Sequence, residues 1–305
     1  MNDIKISVFT PTYNRGYCLD RLFNSLKSQT DMDFEWIIID DGSTDNTKEI
    51  VEHFISDSRF RIIYFWKENG GRHTAFNKAV ELCNSDFIIS IDSDDELLPT
   101  AIEEIRKTWE AIPNCKRGKI WQMSFLCVDT SGQIIGNTFN KKINNYFGRK
   151  QHKLYIRATG EKSCCRNVQI LRRFPFPVFE DTNFITESIV WERISAYYDS
   201  YCSNIPIRIY HTDSPDSLMS GNGKSIARLK SSWYAAQIFI NEHFNQLFYN
   251  KNILFSILNF SRLSILLNIQ FSKRIKLIKP FFAKVIFFIS LPVIFVYTSI
   301  KKNNK

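Results

Sequence analysis

The sequence is poor in acid where it is rich in base. After residue 224 the only acidic residue is Glu242, set against 12 Lys and Arg, so residues 225–305 carry +11 while residues 1–224 carry −2. A segment this basic seeks anionic partners, either nucleic acid or an anionic bilayer surface. Cysteine is sparse and badly spaced for bonding or ligation: there are seven, an odd number, with no CxxC pair, and Cys164 and Cys165 are adjacent. That argues against a disulfide framework and a thiolate metal site, and fits a reduced, cytosolic chain in which Cys serves as a small apolar residue. The opening MNDIKISVF has no basic stretch leading into a long apolar run, so no signal peptide is expected. Internal repeats and low-complexity linkers are missing too.

What remains is a chain of 305 residues, 44% apolar, with 26 Phe. It can bury a sizeable core, and its composition is not that of a disordered chain. The first 110 residues alternate strand-like and helix-like stretches. Strands are expected at Ile4–Thr10, Glu35–Asp40, Arg61–Trp66 and Asp86–Asp92. Helices are expected over 17–28, Thr44–Ile55 with Ser43 as N-cap, Thr74–Cys83, and Pro99–Ile112 with Pro in its first turn. Residues 113–180 are less regular, with a strand at Trp121–Val128 and a turn at Thr130–Gln133. A helix over 183–196, a strand at Ile205–Tyr210 and a polar loop at Ser214–Gly223 follow. From Ser225 the pattern is helical and increasingly apolar. The charge shift suggests a catalytic domain over 1–224 and a helical basic segment over 225–305.

Near-continuous apolar strands separated by helices predict an α/β fold with a mostly parallel sheet covered on both faces. Ligands of such sheets bind at the carboxyl ends of the strands. The polar motifs fall at those ends: Pro11-Thr12-Tyr13-Asn14-Arg15, Asp40-Asp41-Gly42-Ser43, Asn69-Gly70-Gly71-Arg72-His73 and Asp92-Ser93-Asp94-Asp95. Asp92 and Asp94, two apart in an extended segment, can face one ligand. Carboxylates this close repel unless a cation neutralises them. Oxygen-only ligands suit Mg²⁺ or Mn²⁺, with a substrate diphosphate completing the shell. The bland alternative is an acidic turn capping the helix that starts at Pro99.

SVFTPTYNR, IIIDDGSTDNT, NGGRHTAFNKA and FIISIDSDDELLP resemble, in order and spacing, the inverting family-two glycosyltransferases of GT-A fold. The resemblance is strong over 4–110 and looser over 120–220. It implies a metal-dependent transfer from a nucleotide-diphosphate sugar, with a UDP-sugar the expected donor. Thr10, Pro11 and Tyr13 would line the nucleotide pocket, and Asp40 or Asp41 would accept a hydrogen bond from the base. Arg72 or His73 would lie near the diphosphate or ribose, or else only cap a helix. Asp92 would approach ribose or donor sugar and share the ion, Asp94 would be the first metal ligand, and Asp95 would contact donor sugar or acceptor. Asp41 is also a natural turn-former that spends its side chain locally.

Inversion needs one base to deprotonate the acceptor hydroxyl. The family takes it from an acid in a Glu-Asp pair near a helix start. Glu180–Asp181 is the literal pair, and Glu187 stands four residues before Trp191, on one helix face. Either Glu187 or Asp181 would serve. His211 is a third metal ligand, an acceptor contact, or a structural residue.

Val285–Ile300 is an uncharged run of 16 residues, short of the roughly 20 that span a bilayer. Pro292 interrupts it, and basic residues flank it. An interfacial helix on anionic lipid fits best; a buried helix or a span are the alternatives. Nucleic acid is not expected, because the tail is too aliphatic for a phosphate-tracking arm. A membrane-surface site suits a lipid-linked or glycan acceptor in bacterial cell-surface polysaccharide synthesis, at the cytoplasmic face of the inner membrane. Two other readings exist. One is a non-catalytic nucleotide-sugar-binding or scaffold protein of the same fold. The other, a nucleotidyltransferase, would want a glycine-rich basic loop near the N-terminus, where SVFTPTYNR offers only Arg15.

Overall fold

The computed structural model describes residues 4–140, 158–212, 226–246 and 252–303; the polar loop expected at Ser214–Gly223 lies outside them. The chain divides into two compact units, one of Met1–Val178 with Val190–Ser217 and one of Phe179–Ile189 with Leu218–Lys305. The second unit thus gathers residues 179–189 together with the basic segment.

The first unit is built on one eight-stranded sheet in the order β3-β2-β1-β4-β7-β6-β8-β5. Its strands are β1 (Ile6–Thr12), β2 (Phe34–Asp40), β3 (Arg61–Trp66), β4 (Phe87–Ser90), β5 (Glu96–Leu97), β6 (Ile120–Val128), β7 (Lys162–Asn167) and β8 (Asp199–Ile209). β1 pairs in parallel with β2 and β4, and β2 with β3. β7 runs against β4 and β6, while β8 is parallel to β6. Two reversals cancel, so β6 and β8 run in the same direction as β1–β4 and end on the same edge. Helices α1 (Gly16–Lys27), α2 (Thr47–Asp57), α3 (Arg72–Leu82), α4 (Ala101–Ala111), α5 (Asn114–Arg117) and α6 (Val168–Leu171) connect them. α7 (Ser188–Ser195) straddles the boundary between the units.

Central β2 is buried at every position, which is why its sequence reads as an apolar run. Glu35, one of its two buried acids with Asp40, accepts from the Ser7 hydroxyl at 2.7 Å and pairs with Arg61 at 3.3 Å. Trp36 is fully buried and stacks with Phe23 and Phe54. Its indole N–H donates to the Thr10 hydroxyl at 2.9 Å.

Two expected elements start elsewhere. α2 begins after Asn46, not after Ser43. Ser43 instead takes a hydrogen bond from the Asn14 amide, and Asp45 accepts from the Thr47 amide and hydroxyl. The helix expected over 183–196 starts only at Ser188, because a Phe179↔Thr182 bridge and extended residues take up the stretch before it. No two cysteines form a disulfide among the described residues.

The second unit packs α8 (Ile226–His243), α9 (Asn252–Leu266), α10 (Phe271–Leu277) and α11 (Phe281–Asn303) around Trp233, Ile257, Phe260 and Phe287. Trp233 stacks on Phe260 at 5.2 Å and donates to Ser264. Among the described residues no helix is long and apolar enough to cross a membrane.

Trp36 tests the first core. Trp36→Ala is expected to cost about 4 kcal/mol, and Trp36→Phe about 1–2 kcal/mol, the latter chiefly from orphaning the Thr10 hydroxyl. Urea unfolding of both variants measures this. Similar losses for the two would show that the ring stack, and not the hydrogen bond, is irrelevant.

Candidate active site

The carboxyl edge of the sheet gathers the four polar motifs, as the register requires. Thr12 stands opposite Asp40, and Asp40 opposite Trp66. Beyond β4 the chain turns through Asp92–Asp95 into β5, where Glu96 pairs with Ile209 and Leu97 with Arg208. This two-residue pairing ties the acid loop to the end of β8.

Each of the three aspartates meets an arginine. Asp94 takes Arg15 at 2.9 Å, and Asp92 takes Arg72 at 2.9 Å and Arg208 at 2.7 Å. Asp95 is almost wholly buried and accepts from Arg208 Nε at 2.8 Å, from its NH2 group, and from the His211 amide at 2.8 Å. The Arg21 guanidinium donates to the Asp94 carbonyl at 2.9 Å. Burial alone would push the Asp92 carboxyl up, but Arg72 and Arg208 outweigh it and hold it at about 2. Asp95 goes the other way: burial pushes it up to about 6, against the pull of Arg208 and the His211 amide. Asp92 and Asp95 together hold the buried Arg208 firmly in its charged form.

Arg208 was the residue the sequence hid. Its one signal is a charge inside the otherwise apolar IPIRIY strand, since a buried Arg implies a buried acid partner. In sequence Arg15 reads only as an insufficient phosphate loop.

The two acids of the DDGS turn have different tasks. Asp40 accepts from the Ser43 amide at 2.7 Å and the Tyr64 hydroxyl at 2.7 Å. Asp41 reaches further, accepting from Lys67 Nζ at 2.6 Å and the Gly70 and Gly71 amides at 3.0 and 2.7 Å. Its side chain therefore joins the β2 turn to the loop before α3, 26–30 residues on, and is not spent within its own turn. Gly42 allows the approach: its φ is +94°, and a Cβ there would sit 2.9 Å from the Asn69 amide nitrogen.

Other expected contacts land differently. Thr10 is buried, with its hydroxyl on Trp36, so it faces the core and not a nucleotide; the strand runs two residues further, leaving half-buried Pro11 and exposed Tyr13 at its end. Arg72 does face the acid cluster. His73 does not: it is buried, no partner meets either ring nitrogen among the described residues, and burial drives its pKa down, keeping it neutral. His211 holds its Nε2 at 2.7 Å from Glu96, two residues beyond Ile209, which β5 pairs with Glu96. Asp95, with its oxygens taken by Arg208 and His211, is a clamp point and not an open contact for sugar.

For a divalent ion the partly buried carboxylates are Asp92, which already meets Arg72 and Arg208, and Asp94, which meets Arg15. That donor set suits Mg²⁺ or Mn²⁺. Among the described residues no group of three His, Cys, Asp or Glu converges to hold an ion.

Asp181 lies in the second unit, where Tyr234 donates to it at 2.8 Å and Lys230 lies 3.4 Å away. Burial opposes the shift, but these two groups keep its carboxyl below the usual range. Glu187, also in that unit, directly precedes α7.

The model of "Glycosyl transferase family 2" matches residues 7–168, more than half of the chain. A Campylobacter jejuni GalNAc(5)-diNAcBac-PP-undecaprenol beta-1,3-glucosyltransferase is 35% identical over 190 residues, which cover 52% of this chain and 61% of that protein. An Escherichia coli chondroitin synthase is 36% identical over 146 residues, covering 46% of this chain and 19% of that one. The chain thus spans less than two thirds of these relatives' length. Among solved structures, S. aureus TarS 1–349 in complex with UDP-GlcNAc superposes with a TM-score of 0.60 at 17% identity, covering 99% of this chain and 93% of that one. The fold is the GT-A fold.

Asp95 makes the Arg208 contact measurable. Its pKa is raised by folding, so its ionisation removes stability as pH climbs through about 6. Taking away Arg208 widens that window upward. Arg208→Met is expected to lose about 3–5 kcal/mol at pH 8, and clearly less at pH 5 where Asp95 is protonated. Thermal unfolding at both pH values decides it; equal losses would mean that Asp95 is not the charge Arg208 answers.

Proposed function

The chain belongs to glycosyl transferase family 2, and from that premise we propose that it transfers a sugar, with inversion, from a UDP-sugar to a glycan or lipid-linked acceptor in bacterial cell-surface polysaccharide synthesis. The observation that carries this is the meeting of Asp92 and Asp94 with Arg15 and Arg72 at the carboxyl edge of the sheet. Three aspartates answered by three arginines form a neutral site. A donor diphosphate brings at least two further negative charges. Arg72, 41% exposed, and Arg15, 18% exposed, are placed to exchange carboxylate for phosphate oxygens; Arg208, at 4%, is not. When bound, a divalent ion at Asp92 and Asp94 would offset the charge that develops on the departing diphosphate.

The lipid-linked acceptor is supported by the name of the Campylobacter relative, an undecaprenol-linked glycan glucosyltransferase. UDP as carrier is supported by the TarS complex with UDP-GlcNAc, a protein of the same fold. Glu187, four residues before Trp191, is the preferred base; Asp181, whose carboxyl is held below its ordinary pKa beside Tyr234 and Lys230, is the weaker proton acceptor.

A panel of UDP-sugars with Mn²⁺, read by thermal shift and by release of UDP, tests the reading. One donor is expected to stabilise the protein, with chelator removing part of the shift. Glu187→Gln should lower turnover by about 10²–10⁴-fold while leaving that shift intact, and Asp181→Asn should lower it less. Binding of a donor without turnover on any acceptor would favour the scaffold reading; near-normal turnover in Glu187→Gln would reassign the base.

A further inference from the structure

The second unit carries a surface that glycosyl transfer does not use. α11 is apolar on both sides. Ala283, Phe287 and Ser290 are buried, with Ile286 and Leu291 packed beside them against the unit's core. Phe281, Phe282, Val285, Phe288 and Ile289 are between 38 and 72% exposed. At 3.6 residues per turn these five fall within an arc of about 120° on the face away from that core. Exposed Phe271, at the start of α10, extends the stripe, with its ring 5.3 Å from that of Phe288.

Isolated exposed apolar residues are ordinary; a contiguous aromatic and aliphatic stripe over about two and a half turns is not. The charge around it says what covers it. Residues 252–305 contain nine Lys and Arg and no acid. Lys273, Lys276 and Lys279 are exposed on α10 and the link into α11, and half-exposed Lys284 lies at the border of the stripe. Phe and Ile flanked by Lys, with no acid, is the composition of a helix lying in the headgroup layer of an anionic bilayer. Beside the stripe a groove of about 330 Å³ is lined by Ile265, Leu291, Pro292 and Arg274. There the Arg274 guanidinium, whose Nε donates to the Ile269 carbonyl at 2.6 Å, lies among apolar walls.

We propose that the exposed face of α11, with Phe271 and the lysines of α10, docks this protein on an anionic membrane surface, lying in the interface without crossing it. This goes beyond the transfer reaction and does not depend on it. Deleting residues 270–305 would not test it, because the deletion removes Ile278, Ala283 and Phe287 from the unit's own core.

The experiment is co-sedimentation of the full chain with vesicles of phosphatidylcholine, with and without about a third phosphatidylglycerol, at low salt. The expected result is at least about tenfold stronger partition onto the anionic vesicles, falling with added salt. Phe282→Glu with Ile289→Glu, both more than two thirds exposed, should lower that partition about tenfold or more without changing Tm or the donor-induced thermal shift. Lys276→Glu with Lys279→Glu, a pair that leaves the apolar stripe intact, should remove the preference for anionic lipid. Equal partition onto both vesicles, or unchanged partition of the Phe282/Ile289 variant, overturns the proposal. So does sedimentation velocity showing a dimer, without vesicle binding, that the same variant dissolves, since the stripe would then belong to a second copy of the chain. Loss of the donor shift with partition intact would count against the transfer reading alone.

Discussion

Three carboxylates within four residues of one loop cannot sit together unless something neutralises them. Here the neutralising groups come from three separate places: Arg15 after β1, Arg72 at the start of α3, and Arg208 in β8. The pairing therefore does more than balance charge. It fixes the position of the acid loop against the β1 turn, the third helix and the last long strand at once, so the ends of these elements become one surface. Arg208 is the innermost of the three. Burying a guanidinium is costly unless its donors are met, and here Asp92 and Asp95 meet them while the His211 amide completes Asp95. That buried clamp supports two more exposed pairs, Asp92–Arg72 and Asp94–Arg15.

The same division of labour runs through the β2 turn. Asp41 looks in sequence like a ligand contact or a local turn-former, and its side chain is not spent in its own turn. It receives the amides of Gly70 and Gly71 and the ammonium of Lys67, and so sets the direction in which α3 starts. Arg72 leaves that start pointing at Asp92. A motif acid thus acts on the site through the backbone it holds.

The parallel half of the fold was legible because its strands are buried on both faces and its helices are amphipathic; β2 and β3 lie within a residue of where the apolar runs put them. The edge on which the motifs gather followed from strand direction alone. What could not be read is what depends on partners distant in sequence. Thr10 looks like a polar residue at a strand end, but Trp36, 26 residues on, claims its hydroxyl. His73 sits in a polar run yet turns inward. A two-residue strand such as β5 has no periodicity to detect, yet its pairing with β8 delivers Arg208 and His211 to the acids. Helix starts slipped where side chains had other duties, as Ser43 does with Asn14.

For the C-terminal helix, length and mean hydropathy leave the outcome open. A run of apolar residues is consistent with a span, a core helix or an interfacial one. The deciding quantity is how much of the circumference the unit's own core consumes. Phe287 and Ala283 are consumed; Phe282 and Ile289, on the opposite side, are not. Over residues 281–291 one side of the helix is committed to a protein core, so that stretch is not surrounded by lipid. The uncommitted side still exposes hydrocarbon to water at a cost of roughly 25 cal/mol for each Å², a cost that selection would reduce by a single polar substitution unless the face were used. The absence of acid over residues 252–305 makes the same point from the electrostatic side: surfaces kept merely soluble mix charges of both signs, and this one carries a single sign around an apolar stripe.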